Sequence, residues 1–450
     1  MNRSLKKLVN KAVYHNDPDL LNNPFRKSQN YFILQVIFAT IFTLLTGGVY
    51  ISGFAIYLGA SDEIVSYITT IPNICCIFLV IGCIFLEGVK SPKKAVVTMV
   101  VISKFFICSI VTIPLFVQSE MRQVVLLAVM IIAYIIQALY GTVLNKWFVS
   151  VVPDNIRGRY FSVRQFFALL VNVILPLITG RFMDTVADQY TGFIVLFSLG
   201  LLSMVVEVLM YLNIEEPPVE SLEKGKIKIY DVVRIPLKNR EFFRYSFVLF
   251  VFYLFLYLSA SFKSVYMIRY LEMSYTFINF ITILPAVMQM FMIRLWGRVS
   301  DKYGHKFVMN TSMWFFAAEA LFWGLVSKTT MVLFIPVACI FSAIANSGFA
   351  VGAFNRRYEI IPEKGRTLYD GFYSAIVGVA LLLAPILGGA VKTMAASNSF
   401  IKSNIQFGEF RMLFMITFIS IIVLQIFNIR PGATIHASSP ASGKIGDTDF

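Results

Sequence analysis

Roughly a dozen apolar runs of about 20 residues constrain this chain more than any other feature of it. A helix rises 1.5 Å per residue, so such a run crosses a hydrocarbon layer about 30 Å thick. Inside that layer water cannot bond the backbone, and a helix satisfies its own N–H and C=O groups. The runs fall at about 31–59, 63–86, 95–117, 122–145, 160–180, 191–213, 244–266, 273–296, 306–326, 329–353, 367–391 and 409–428. With 58% hydrophobic and 14% charged residues, the chain is far too apolar for a soluble domain. It reads as an all-α membrane protein of twelve transmembrane helices.

The charges between the runs give direction. The formal net charge is +14. Roughly 28 Lys/Arg lie in the termini and even-numbered loops, against about 6 on the other side. That asymmetry predicts a multi-pass protein of the cytoplasmic membrane with both termini cytoplasmic. It also predicts a surface drawn to anionic lipid at that face, and it disposes of nucleic acid as the partner of the basic residues. The first 30 residues are polar and basic and lack the short apolar core of a cleavable signal. All five cysteines fall inside apolar runs and read as packing residues. The expected organisation is an N-terminal tail (1–30), a six-helix bundle (31–213), a cytoplasmic linker (214–243), a second bundle (244–428) and a disordered tail (429–450).

Two motifs refine this picture. The first is Gly297-Arg298-Val299-Ser300-Asp301-Lys302-Tyr303-Gly304-His305-Lys306, which reads as a loop at the water interface because lipid cannot solvate its charges. The second is an internal repeat at an offset of 209. Val151-Val152-Pro153-Asp154-Asn155-Ile156-Arg157 aligns with Ile360-Ile361-Pro362-Glu363-Lys364-Gly365-Arg366. In the same register Gly88 meets Gly297, Gln137 meets Asn346, Tyr160 meets Tyr369, Pro176 meets Pro385 and Gly180 meets Gly389. A series of this kind at one offset marks a tandem duplication of six helices.

The decamer resembles the signature loop of the major facilitator superfamily, matching it at every specified position. The twelve spans and the duplication agree with that family over roughly residues 30–428. The resemblance implies two six-helix bundles related by a pseudo-two-fold axis along the membrane normal, with the substrate between them at the midplane. Two departures stand out. The equivalent loop of the first half, Gly88 to Lys94, is shorter and lacks the acid. The antiporter pattern Gly-x-x-x-Gly-Pro-x-x-Gly-Gly is poorly matched by Asn172 to Gly180 on the fifth span. A closer echo, Ala384-Pro385-Ile386-Leu387-Gly388-Gly389, sits on the eleventh.

The resemblance further implies that Gly297, Asp301, Lys302, Gly304 and Lys306 form part of an inner gate. Asp301 would dock against Tyr160–Arg164 when that gate closes, with Arg356 or Arg357 close by. Arg157 and Arg366 are expected partners for acids on adjacent loops. The plainer alternative for all of these bases is a solvated loop that fixes topology.

Polar residues inside spans need a partner or water. Gln35, Thr46 and Tyr50 share a face of the first span; Tyr253 and Tyr257 lie on a stripe of the seventh. Gln137 and Asn346 are repeat-equivalent amides near mid-membrane on the fourth and tenth. The first, fourth, seventh and tenth helices line the cavity in the family, so these seven residues are candidates for substrate contact; helix–helix hydrogen bonding is the alternative. Lys104 and Glu207 lie at similar depth and are expected to form a structural ion pair. Asp370 and Glu319 are candidates for proton coupling. Glu319 has no partner evident in the sequence; a protonated acid, a cross-helix pair and a lateral pocket all remain open for it.

Other classes lack their signatures. The three histidines, His15, His305 and His436, lie in tails or loops, so no catalytic cluster is expected, nor any metal site or cofactor. No phosphate-binding glycine loop is present. The expected function is a monomeric secondary carrier of a small solute working by alternating access. Proton-coupled uptake of a polar solute such as a sugar or organic ion is the first reading. Export of drugs or other amphipathic compounds is the second, and a receptor or scaffold on the same fold the third.

Overall fold

A computed structural model describes residues 25–78, 91–153, 156–216, 229–362 and 366–429. Its described residues are helical or irregular, without a strand. Among the described residues twelve main helices follow one another, and we number them in chain order. In the first half are α1 (Arg26–Thr46, continued as Gly48–Tyr57), α2 (Asp62–Ile74, continued as the tight turn Cys75–Phe78), α3 (Pro92–Ser109), α4 (Arg122–Val151), α5 (Arg157–Thr185) and α6 (Gln189–Leu212). In the second are α7 (Arg240–Ala260), α8 (Tyr275–Tyr303), α9 (His305–Gly324), α10 (Met331–Ile360), α11 (Arg366–Ser397) and α12 (Gly408–Ile429). Ten of the segments are long and apolar enough to cross a membrane on their own. Parts of the expected second span (79–86) and of both tails lie outside the described residues.

The helices extend beyond the apolar runs because polar interface residues continue them. The clearest correction concerns the decamer. It is not a loop: α8 runs through Tyr303 and α9 begins at His305, leaving Gly304 alone between them. Gly304 has φ +84°, a conformation a Cβ disfavours, so the glycine allows the chain to reverse in a single residue. Ser300 Oγ and His305 Nδ1 share a hydrogen bond of 2.6 Å across the turn. The expected linker contains a helix of its own, Ile229–Lys238, which packs on α11 and α7.

We call inner the end of the bundle at which the described chain begins and ends, and outer the opposite end. At the outer end one apolar core spans both halves, bringing Tyr50, Phe54 and Phe193 together with Phe262, Tyr266 and Phe410. At the inner end there are two separate cores. Phe32, Trp147 and Tyr160 belong to that of the first half, and Phe242, Phe349 and Tyr369 to that of the second. Apolar burial thus joins the halves on one side only. The cross-half contacts run along α5–α8 and α2–α11, which the 209-residue repeat makes equivalent.

Candidate functional site

The junction between the halves is the candidate site, and its outer part is tightly built. Asp62, at the start of α2, is 5% exposed and receives three donors from the other half. Arg269 pairs with it, Tyr270 Oη donates at 2.7 Å and Lys392 Nζ at 2.9 Å. Lys392 also reaches Glu63 at 2.6 Å, and Arg269 donates to the Ala60 carbonyl at 2.7 Å. Charge-assisted bonds of this kind are about twice as strong as neutral ones.

Along α5–α8 the seam is made differently. Asp184 accepts the free N–H groups of Tyr275 (2.7 Å) and Thr276 (2.8 Å) at the start of α8, where the helix dipole favours an anion. Below it Asn279 Nδ2 donates to Tyr50 Oη (2.7 Å) and to the Pro176 carbonyl (2.8 Å), and Tyr50 shares 2.6 Å with Thr179 Oγ1. Tyr50 stacks on Tyr275 at 5.8 Å. Gly180 permits the approach, because a Cβ there would lie 2.7 Å from Asn279 Nδ2 and 3.0 Å from the Thr276 Cα. The hydrogen bonds and ion pairs between described residues of the two halves all lie at the outer end.

At the inner end no hydrogen bond or ion pair between described residues joins the halves. Asp301 is exposed and makes no hydrogen bond or ion pair with described residues, so in this structure it does not dock on Tyr160–Arg164. Lys302 lies over the Tyr303 ring at 5.1 Å, and Lys306 is exposed. Gly297 has open space around it. Arg356 pairs with Glu241 (2.5 Å) and Glu359 (2.8 Å), not with Asp301. Arg157 and Arg366 open α5 and α11, but their side chains lie outside the described residues.

The proposed cavity residues divide. Gln35 is buried, donating to Glu207 Oε1 at 2.9 Å and receiving Arg164 Nη2 at 3.3 Å. Thr46 turns to α6, donates to its own helix at Phe42 and lies where a Cβ at Gly200 would strike it, so it does not face a cavity. Tyr50 belongs to the outer seam, as above. Gln137 is half-buried, and Asn346 is exposed with its amide bonded to Ser342 O at 2.8 Å. Tyr253 and Tyr257 are half-buried, 6.3 Å apart, and Tyr253 shares a hydrogen bond with Tyr373.

Lys104 and Glu207 form a buried ion pair joining α3 to α6. Of the alternatives open for Glu319, the structure shows the cross-helix pair: Lys263, on the short turn after α7, reaches it at 2.5 Å. Asp370 sits one turn into α11, with Arg357 Nε at 3.3 Å and Tyr358 Oη donating at 3.0 Å. Each half also holds a pocket of its own. In the second half a pocket of about 400 Å³ is lined by Arg240, Glu241, Arg244, Lys306 and Arg356, and in the first an apolar groove of about 460 Å³ runs along α1, α5 and α6.

Sequence reasoning missed the outer seam and Arg164. One signal was available: the outer side carries few bases, so Arg269 and Lys392 could have been questioned individually.

Comparison with known proteins agrees with this geometry. The family model described as Major Facilitator Superfamily matches residues 245–441. A curated relative, the class H tetracycline resistance protein of Pasteurella multocida, is 31% identical over 135 residues. That match covers 30% of this chain and only 33% of the relative's length. Among solved structures, a mutant of the nucleoside transporter NupG superposes with a TM-score of 0.68 at 12% identity, covering 88% of this chain and 98% of that one. A bacterial homologue of the iron transporter ferroportin, in an inward-facing state, gives 0.66 at 14% identity over 88% and 97%. A D-xylose–proton symporter gives 0.61 at 13% over 89% and 96%. At these identities the structural likeness is one of fold. With the matched second half, the twelve-helix fold and the duplicated sequence, the chain is similar to the major facilitator superfamily in fold and, over residues 245–441, in sequence.

Proposed function

We propose that this protein is a secondary transporter that carries a small solute across the cytoplasmic membrane by alternating access. The observation that carries the proposal is the asymmetry of the junction. Hydrogen bonds, ion pairs and a shared apolar core join the halves at the outer end, while separate cores and an undocked Asp301 mark the inner end. A solute would enter or leave between the inner ends, and the outer seam would open when the halves rock. Asp301 and its basic neighbours would then close the inner side.

The polar lining favours a polar solute. Arg164, Gln137 and Asn346 in one half or the other offer a guanidinium and amides, with Tyr253 as a ring. Coupling to protons falls on Asp370 and Glu319. Each lies against a base, so proton exchange would require its pair to separate. The resistance protein supports the second reading, export of an amphipathic compound, through the segment that it shares with this chain.

The test is flux into proteoliposomes, with sugars, organic ions and amphipathic drugs supplied with and without an imposed pH gradient. Saturable flux of one class establishes the carrier and its substrate. Flux indifferent to the gradient, and unchanged in Asp370→Asn with Glu319→Gln, would discard the proton. Absence of flux for every class, with binding intact, would favour a receptor on this fold.

A further inference from the structure

The duplication invites a comparison of equivalent positions at the inner end. In the second half, Arg357 on α10 packs over the Tyr373 ring at 4.3 Å and pairs with Asp370 at 3.3 Å. Subtracting the offset of 209 leads to Phe148, Arg164 and Phe161 in the first half. These three also touch: Arg164 lies over the Phe148 ring at 5.2 Å, and Phe148 meets Phe161 edge-on at 5.4 Å. The contacts are kept, but cation and ring have exchanged helices, and the acid has become Phe161.

Arg164 is therefore a guanidinium whose equivalent acid is missing. Its Nη2 reaches only the neutral Gln35 Oε1, and its Nε is buried without a hydrogen-bond partner. Glu207, on neighbouring α6, is already held by Lys104 and Gln35. A partly buried cation without an acid is costly, and a guanidinium matches a planar or tetrahedral oxyanion with two parallel bonds.

Position adds the direction. Arg164 and Thr179 lie on one stripe of α5, 15 residues apart, each beside α1 through Gln35 and Tyr50 respectively. At the outer end that stripe touches the other half through Asn279. At the inner end, Arg164 lies about 10 Å in from the start of α5 and is half-buried, where no hydrogen bond or ion pair between described residues joins the halves.

We propose that Arg164, steadied by Phe148 and Gln35, binds the anionic group of a small organic anion, and that this anion is the solute. The second claim rests on the transporter reading; the first does not. The experiment is thermal unfolding of the purified protein with succinate, 3-phosphoglycerate and benzoate at constant ionic strength. Each is paired with a neutral amide or alcohol counterpart. At least one anion should raise Tm where its counterpart does not. Arg164→Gln should weaken its binding at least tenfold, and Arg164→Lys less. Phe161→Asp supplies the missing acid while keeping Arg164, and should abolish anion binding with the fold intact. Stabilisation by neutral compounds alone, by no compound, or by anions equally in Arg164→Gln would overturn the assignment. Proteoliposome flux separates the two readings. A neutral solute carried equally by Arg164→Gln removes the anion site and leaves the transporter. An anion bound through Arg164 but never carried does the reverse.

Discussion

The two outer seams occupy equivalent places in a duplicated fold, yet they are made of different chemistry. Across α2–α11 the halves meet through charge, with Asp62 and Glu63 on one side and Arg269 and Lys392 on the other. Across α5–α8 they meet through neutral groups, Tyr50, Thr179 and Asn279, and through an acid that caps a helix. Even their repeat-equivalent glycines differ in what they touch. Gly180 admits the α8 backbone, whereas a Cβ at Gly389 would meet only the Glu63 side chain at 3.1 Å. Duplication preserved where the helices approach and left the contacts free to diverge. One seam should therefore respond to charge and ionic strength, and the other to shape and hydrogen bonding.

The largest effect should follow Asp62→Ala. It leaves Arg269 and Lys392 without their shared acid at a nearly buried site, a loss of about 3 kcal/mol. Tenfold corresponds to about 1.4 kcal/mol, so the outer-open population should rise by roughly a hundredfold. Spin-label distances across α2–α11 would report it, and an unchanged distribution would deny that seam its role. Gly180→Val should come next, at about 1–3 kcal/mol, because α8 backbone must yield. Its signature is separation of α5 from α8 and slower flux.

Asn279→Ala removes the donor shared by Tyr50 and Pro176, for about 1–2 kcal/mol. Reactivity of a cysteine placed at the outer end of α5 should increase. Asp184→Asn keeps an acceptor at the start of α8 and loses only the charge, worth about 0.3–1 kcal/mol. Smallest is the salt response. Raising ionic strength from 0.1 to 1 M shortens screening from about 10 to 3 Å and should loosen α2–α11 slightly, because Asp62 is nearly buried. Equal loosening of both seams would erase the contrast between them.

Much of the frame was legible before any coordinates. Span length announces itself through apolar runs, and depth counting placed Lys104 and Glu207 at one level, where they pair. The decamer showed where α8 and α9 meet, though its charges suggested a loop. Helix continued through them because Arg, Ser, Asp and Lys at an interface can extend a helix into water, and one glycine sufficed to turn. Thr46 misled because a hydroxyl on a striped face serves its own backbone as readily as a cavity.

What escaped the sequence are pairs such as Asp62 with Lys392, 330 residues apart, and Glu319 with Lys263. Neither partner carries a local mark of the other. The sequence by itself determined the membrane, the twelve helices and their duplication, because each depends on length, period or repetition along the chain. Tertiary structure alone decided which polar side chains meet, which end of the junction is sealed and why Arg164 lacks an acid. Those depend on how two rigid bundles lie against each other, and no local periodicity encodes that.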